Sequence, residues 1–130
     1  MKTKIQIRPA LDASIVGNNM SELEQFQNKT LRPILKMQHS LLIAAVRFYI
    51  EKKKNLFYKT QAEKQGDYIE NQIIGDQNIF NELRGMILGQ FTVEEYHFYC
   101  EHSSEVNKRI KGMMVKRIVS GIDELRPKVK

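Results

Sequence analysis

Apolar residues recur at intervals of three and four positions through most of residues 22–125, and this spacing constrains the chain to helices. Such intervals place side chains on one face of an α-helix, whereas a half-buried strand requires strict alternation. Ser/Thr-x-x-Glu sequences, typical of capping boxes at helix N-termini, begin at Ser21, Thr60 and Thr92. The pattern predicts an all-α fold, with no β-sheet on which enzyme ligands could be mounted.

The predicted architecture is an irregular or orthogonal bundle built on two long helices, over about residues 31–54 and 105–125. Asn55 is predicted to cap the end of the first in the left-handed conformation, and Ser103 or Ser104 to cap the start of the second. Shorter helices are predicted over residues 22–28, 61–74, 77–88 and 93–102. The residues predicted to start or stop them are Gly75, Asp76 and Gly89.

Length and composition indicate one intracellular domain. Of the 130 residues 42% are hydrophobic, and the single cysteine, Cys100, excludes an intramolecular disulfide. The longest aliphatic run, Leu41–Val46, is much shorter than the about 20 residues of a membrane span, so we expect a soluble, cytoplasmic protein without membrane attachment. Residues 1–20 are predicted to form an extended or partly disordered arm, residues 21–126 one helical domain, and residues 127–130 a basic tail.

Charge is distributed in blocks. Residues 31–54 carry six basic and one acidic side chain, residues 55–103 carry three basic and eight acidic, and residues 104–130 carry eight basic and three acidic. This pattern could serve intramolecular neutralisation, association between copies, or a basic surface for a polyanion. The candidates for an anion-binding or partner surface are Lys52, Lys53, Lys54, Lys108, Arg109, Lys111, Lys116 and Arg117.

Potential metal ligands concentrate in the segment 93–102. Glu94 and His97 form a Glu-x-x-His unit, but a di-metal bundle requires a second such unit, and Lys36 stands three residues before His39. His97 and Cys100 share a helix face and are weak candidates for a mononuclear site. We favour an ordinary amphipathic helix with Cys100 inert in the core, and predict no cofactor and no catalytic residue.

Surplus apolar residues on the long helices favour self-association. Val46 and Ile50 lie off the predicted apolar stripe of the first helix, and Val115 and Val119 lie off that of the last. A helix that is apolar on more than one side is either deeply buried or contacts another subunit. The sequence therefore predicts a homodimer built on one or both long helices.

Nucleic-acid binding is the main alternative. The segment 93–102 followed by a basic helix superficially resembles a helix-turn-helix. Met113, Met114 and Val115, however, occupy positions where base-reading polar residues would be needed. The function predicted from the residues is a non-catalytic helical protein-interaction module with an unknown protein partner. The alternatives are a polyanion binder acting through the basic C-terminal helix and, less favoured, a metal-dependent enzyme.

Several segments between Phe26 and Ile118 resemble a family of short, uncharacterised, all-helical bacterial proteins; they are FQNKTLRPILKMQ, YIEN, LRGMILGQFTVEEYHFY and SSEVNKR. Members sometimes carry the label "glyoxalase", which implies a metal-dependent isomerase of glutathione adducts with ligands on strands. This chain departs from that pattern because its three histidines lie in helical segments. The resemblance implies a fold, and no ligand transfers to a position of this sequence.

Overall fold

The computed structural model describes Arg8 and residues 21–127. These residues form helices and no strand, which confirms the predicted all-α fold. No helix among them is long and apolar enough to cross a membrane. The predicted arm, apart from Arg8, and the last three residues of the predicted tail lie outside the described residues. The α-helices are α1 (Glu22–Phe26), α2 (Arg32–Met37), α3 (His39–Lys52), α4 (Leu56–Lys59), α5 (Ala62–Tyr68), α6 (Gln77–Leu88), α7 (Val93–Glu101) and α8 (Ser103–Ser120).

The first predicted long helix is interrupted. A π-helical turn, Gln27–Leu31, joins α1 directly to α2, and Gln38 (φ −90°, ψ 5°) separates α2 from α3. Pro33 lies in the first turn of α2, where its missing N–H costs little. The first long helix was predicted to end at residue 54, but α3 ends at Lys52 with Lys53 as its C-cap. Asn55 adopts the predicted left-handed conformation, together with Lys54.

Two of the three predicted capping boxes are formed at least in part. The Ser21 hydroxyl accepts a backbone N–H at 3.2 Å, and Thr92 and Glu95 form the complete reciprocal pair at the start of α7. The prediction at Thr60 is wrong, because its hydroxyl donates to the carbonyl of Leu56 at 2.9 Å. The segment between the predicted helices, for which no helix was predicted, folds into α4. Thr60 ends that turn, and α5 begins without a side-chain cap.

The last helix is shorter than predicted. It ends at Ser120 with Gly121 as its C-cap, and residues Ile122–Leu125 continue as a single 3₁₀ turn. Its predicted cap is also wrong: Ser103 is already helical, and His102 is the only residue between α7 and α8 and makes no side-chain capping bond. In contrast, the Asp76 carboxylate caps α6 as predicted by accepting two backbone N–H groups. A second π-helical turn, Ile69–Ile73, extends α5.

One hydrophobic core receives side chains from most of the helices. The stripe predicted for the last helix includes Val106, Ile110, Met114 and Ile118, and these four side chains are fully buried. The stripe predicted for the first long helix includes Leu41, Leu42 and Phe48, and it is correct for Leu42 but wrong for the other two. Val46 and Ile50 are fully buried, whereas Leu41 and Phe48 are 47% and 50% exposed. Both sets recur at helical intervals, so only the neighbouring helices decide which set faces inward. The largest fully buried side chains are Leu31, Ile34, Leu35, Leu42, Ile50, Ile69, Ile73, Ile74, Leu83, Ile87, Ile110 and Met114.

Gly75, between the second π turn and α6, is the glycine whose replacement is expected to disturb the backbone. A Cβ atom there would clash with the backbone carbonyl oxygen of Asn71, so Gly75→Ala should lower the free energy of unfolding by about 1–3 kcal/mol. Gly85, inside α6, is the matched control because a Cβ there meets nothing within 4 Å. Gly85→Ala should raise the free energy of unfolding by about 0.5–1 kcal/mol. Urea unfolding of both variants checks this pair, and equal effects would contradict it.

Candidate anion-binding site

A cleft of about 410 Å³ lies between the α2–α3 segment and the C-terminal half of α8. Its volume is within the range of small-ligand sites, roughly 300–1,000 Å³. Leu35 and Met113 form the apolar part of its lining. The polar side chains that line it are Gln27, Arg32, His39, Lys116, Arg117, Ser120 and Glu124.

Helical spacing brings these side chains together. Arg32 and His39 are seven residues, about two turns, apart, so they lie on the same side of the α2–α3 segment. On α8, Lys116, Arg117 and Ser120 fall at offsets of one and four and form the opposite wall. The first π turn and the 3₁₀ turn contribute the two remaining polar side chains. Irregular turns of the π type are frequent at functional sites.

His39 is held from both sides. Its Nε2 lies 2.8 Å from a carboxylate oxygen of Glu124, and its Nδ1 lies 3.5 Å from Nη1 of Arg117. A proton on Nε2 satisfies this arrangement, since His39 then donates to Glu124 and accepts from Arg117. Gly121 leaves room for the contact, because a Cβ there would lie 2.6 Å from the same Glu124 oxygen. The contact with Glu124 is the closer of the two, since 3.5 Å to Arg117 is at the limit of a hydrogen bond.

Two further contacts position the donors of the cleft. Arg109 donates to the side-chain oxygen of Gln27 at 2.6 Å, which leaves the amide nitrogen of Gln27 available as a donor. Arg32 donates through Nε and Nη2 to the side-chain oxygen of Asn28, at 3.3 and 3.2 Å. Each basic side chain is thereby tied to the π turn. The cleft is consequently rich in donors whose orientation is set by neighbouring side chains.

The electrostatic balance of the cleft is positive. Arg32, Lys116 and Arg117 face a single carboxylate, that of Glu124. Clefts lined mainly by one sign of charge concentrate oppositely charged solutes. The arrangement is therefore suited to an anion that accepts hydrogen bonds from several directions.

Three of the eight basic residues predicted for a binding surface belong to this region. Lys116 and Arg117 line the cleft, and Arg109 reaches its wall through Gln27. The structure thus brings together part of the predicted surface, and adds Arg32 from the other half of the chain.

The other predicted basic residues lie elsewhere. Lys52, Lys53 and Lys54 follow one another at the end of α3, and Nζ of Lys53 lies 3.6 Å from the carboxylate of Asp76. Lys111 lies over the ring of Phe80, 5.7 Å from its centroid. Lys108 lines a separate groove together with Arg109. On α8, Lys108 and Arg109 therefore line a groove of their own, whereas Lys111 lies on another side of the helix, over Phe80.

The weak metal candidates are both on the surface of α7. His97 and Cys100 are exposed, so the expectation that Cys100 lies in the core is wrong. Tyr99 takes the inward position beside it and is 8% exposed. Within the described part of the chain, no three His, Cys, Asp or Glu side chains are grouped closely enough to hold a metal ion.

Sequence reasoning missed Arg32, His39 and Glu124. The seven-residue interval between Arg32 and His39, with Leu35 between them, was an available signal because it marks a polar edge beside an apolar stripe. No local signal identifies Glu124, which is 85 residues from the histidine that it contacts.

A second polar cluster, centred on Glu95, is structural. Both carboxylate oxygens accept from the Arg8 guanidinium at 2.7 Å, and they also accept from the Thr30 hydroxyl and the Thr92 backbone N–H at 3.0 and 2.8 Å. The same guanidinium donates to the backbone carbonyl of Gln90. The side chains of Arg8 and Glu95 are only 6% and 16% exposed. Because these four hydrogen bonds occupy the carboxylate, the cluster anchors Arg8 to the domain and has no vacant acceptor for a ligand.

Comparison of the chain with family models, curated proteins and solved structures finds no significant match. The resemblance to short helical bacterial proteins consequently stays a prediction.

Proposed function

We propose that this protein is a non-catalytic helical binding module that binds a phosphate-bearing ligand in the cleft between α2–α3 and α8. The observation that carries the proposal is the convergence of Arg32, Lys116 and Arg117 on one concave site of about 410 Å³. Guanidinium groups match the geometry of phosphate oxygens, and lysine adds a mobile positive charge.

The remaining lining supports a phosphate group. The Gln27 amide and the Ser120 hydroxyl can add uncharged hydrogen bonds, which a phosphate with several acceptor oxygens can use simultaneously. Glu124 provides an acceptor beside the cationic wall, which suits a ligand that carries a hydroxyl group close to its phosphate.

The position of Lys111, over Phe80 and away from the cleft, favours a compact ligand over nucleic acid. A protein that follows a nucleic-acid backbone needs cations along an extended surface. Here the cations that share one site come from two different helices and surround a hollow.

Isothermal titration with pyrophosphate at low salt tests this function. Lys116→Gln and Arg117→Gln should each weaken binding about tenfold, since losing one charge-assisted hydrogen bond costs about 1.4 kcal/mol or more. Lys111→Gln is the matched control, because it removes the same charge from α8 outside the cleft and should leave the affinity unchanged.

Absence of pyrophosphate binding at low salt would contradict the proposal, as would an equal loss for Lys111→Gln. A parallel titration with single-stranded and duplex oligonucleotides distinguishes the nucleic-acid alternative. Tighter oligonucleotide binding that weakens steeply with salt, and that Lys108→Gln and Lys111→Gln also reduce, would favour that alternative.

A protein-interaction role is the second candidate function. The observation that favours it is an exposed apolar face on α3, which includes Leu41 and Phe48. Large side chains of this kind are frequent at the centres of protein interfaces.

A further inference from the structure

Among the described side chains that line the anion cleft, His39 is the one of a type that changes its charge near neutral pH. Histidine gains or loses a proton between about pH 5 and about pH 8, a range in which arginine, lysine and glutamate ordinarily stay charged. The His39 side chain is 25% exposed, so protons can reach it from solvent. Its ring packs against the backbone of Gly121, because a Cβ atom there would lie 3.4 Å from Cε1 of His39.

The two ring nitrogens of His39 have unequal contacts. Nε2 lies 2.8 Å from the Glu124 carboxylate, whereas Nδ1 lies 3.5 Å from Nη1 of Arg117, at the limit of a hydrogen bond. In neutral His39 with its proton on Nε2, Nδ1 is an acceptor and cannot donate to an anion. Protonation adds an N–H at Nδ1, on the side of the ring where Arg117 lies, and sacrifices only the weaker contact. The imidazolium therefore keeps Glu124 as its partner and gains a donor beside the cationic wall.

The charges around His39 determine how an anion affects its protonation. Arg32 on α2, with Lys116 and Arg117 on α8, opposes a further positive charge in the empty cleft, and Glu124 on the 3₁₀ turn favours it. A bound anion offsets the repulsion from the three cations. It therefore favours the protonated form of His39, and the protonated form in turn attracts the anion.

Charged side chains next to these residues in the sequence lie outside this balance. Lys36, which precedes His39 by one helical turn, is exposed and does not line the cleft. Asp123 precedes Glu124 on the 3₁₀ turn, and its carboxylate pairs with Arg126 at 3.0 Å. The coupling therefore depends on the four charged groups that line the cleft with His39.

We propose that His39 couples anion binding to proton uptake, so that the cleft binds its phosphate-bearing ligand more tightly as the pH falls through the neutral range. This inference rests on the proposed function and specifies how the same site is regulated. The protonated ring supplies a fourth positive charge and, through Nδ1, a donor that neutral His39 lacks. By linkage, the factor by which protonation strengthens anion binding equals the factor by which the anion strengthens protonation.

Isothermal titration of wild type and His39→Gln with pyrophosphate, between about pH 5 and about pH 8, tests the coupling. Pyrophosphate itself titrates in this range, but its contribution is common to both chains, so the ratio of their dissociation constants isolates His39. The two chains should bind about equally at the upper end of the range, and wild type should bind about tenfold more tightly at the lower end. Titration in two buffers of different ionisation enthalpy should show greater proton uptake by wild type than by His39→Gln.

His97→Gln is the matched control, because His97 is exposed on α7 and does not line the cleft. It should keep the pH dependence of wild type. Parallel pH profiles for wild type and His39→Gln would overturn the inference while leaving the proposed function intact. Absence of pyrophosphate binding to wild type at every pH would overturn both.

Glu124→Gln tests the same coupling without replacing the histidine. The imidazolium then lacks its carboxylate partner, so the rise in affinity should begin at a lower pH than in wild type. At the upper end of the range this variant should bind pyrophosphate more tightly than wild type, because it removes a negative charge from the cleft. A pH profile identical to that of wild type would likewise overturn the inference, and circular dichroism establishes that each variant is folded.

Discussion

Glu95→Ala is expected to lower the free energy of unfolding by about 3 kcal/mol, among the largest effects of any single substitution in this protein. The variant removes both charge-assisted bonds to Arg8, whose side chain is only 6% exposed, and it removes the reciprocal half of the capping box of α7. A guanidinium left in place without its partner would be desolvated and unpaired, which is why the expected cost exceeds that of a surface ion pair.

Glu94→Ala is the matched control, because the neighbouring carboxylate is exposed in the same helical turn. It should change the free energy of unfolding by less than about 0.5 kcal/mol. A double-mutant cycle of Glu95→Ala with Arg8→Ala, followed by urea unfolding, isolates the pair. Additive losses would show that the contact contributes no coupling, contrary to the short distances observed.

The same pair predicts a pH dependence. Burial alone would raise the pKa of Glu95. The hydrogen bonds from Arg8, Thr92 and Thr30, together with the positive charge of Arg8, outweigh burial and hold this pKa below its ordinary value. The folded state therefore binds this proton less readily than the unfolded state. The resulting stabilisation is complete above the ordinary range of a glutamate and is lost as the pH falls towards the depressed folded-state pKa. Glu95→Ala should flatten the acid limb of a stability–pH curve by this contribution.

Ile110→Ala is expected to lower the free energy of unfolding by about 3–4 kcal/mol, through lost burial and the cavity left behind. Ile110 is fully buried near the middle of α8, among the side chains that join this helix to the rest of the core. Val119→Ala on the same helix is the control, because Val119 is 36% exposed and its methyl groups are partly solvated. Its loss should be below about 1 kcal/mol.

Thermal and urea unfolding, followed by circular dichroism, measure both α8 variants. An Ile110→Ala loss no larger than that of Val119→Ala would mean that α8 is held by contacts other than its buried stripe. Lys116 and Arg117 of α8 line the anion cleft, so pyrophosphate titration of the same variants also tests whether the cleft depends on the packing of α8 against the core.

Much of the fold was predictable because its signals are local. Asp76 and Thr92 mark helix starts through side-chain bonds to N–H groups two or three residues away, and Asn55 marks a helix end through its own backbone conformation. The incorrect capping prediction at Thr60 also has a local cause, because two backbone groups compete for one side chain. Thr60 and Glu63 have the spacing of a capping box, but the Thr60 hydroxyl donates to the carbonyl of Leu56 in the preceding turn and does not cap α5.

The candidate site was only partly predictable because it joins distant segments. The basic character of α8 identified Lys116 and Arg117, but their convergence with Arg32 depends on how two helices lie side by side. Glu124 and His39 are 85 residues apart in the chain, and no local sequence pattern around either residue predicts their contact.

Periodicity and capping chemistry along the chain determined that this protein is helical and approximately where its helices begin and end, since a helix satisfies its backbone within a few residues. Helix α3 has two faces on which apolar residues recur at helical intervals. Only tertiary packing decided that the face with Leu42 and Val46 is buried and that the face with Leu41 and Phe48 is exposed. The same packing decided which of the dispersed basic side chains meet in one cleft. Burial and charge convergence are properties of neighbours in space, and a linear pattern does not specify those neighbours.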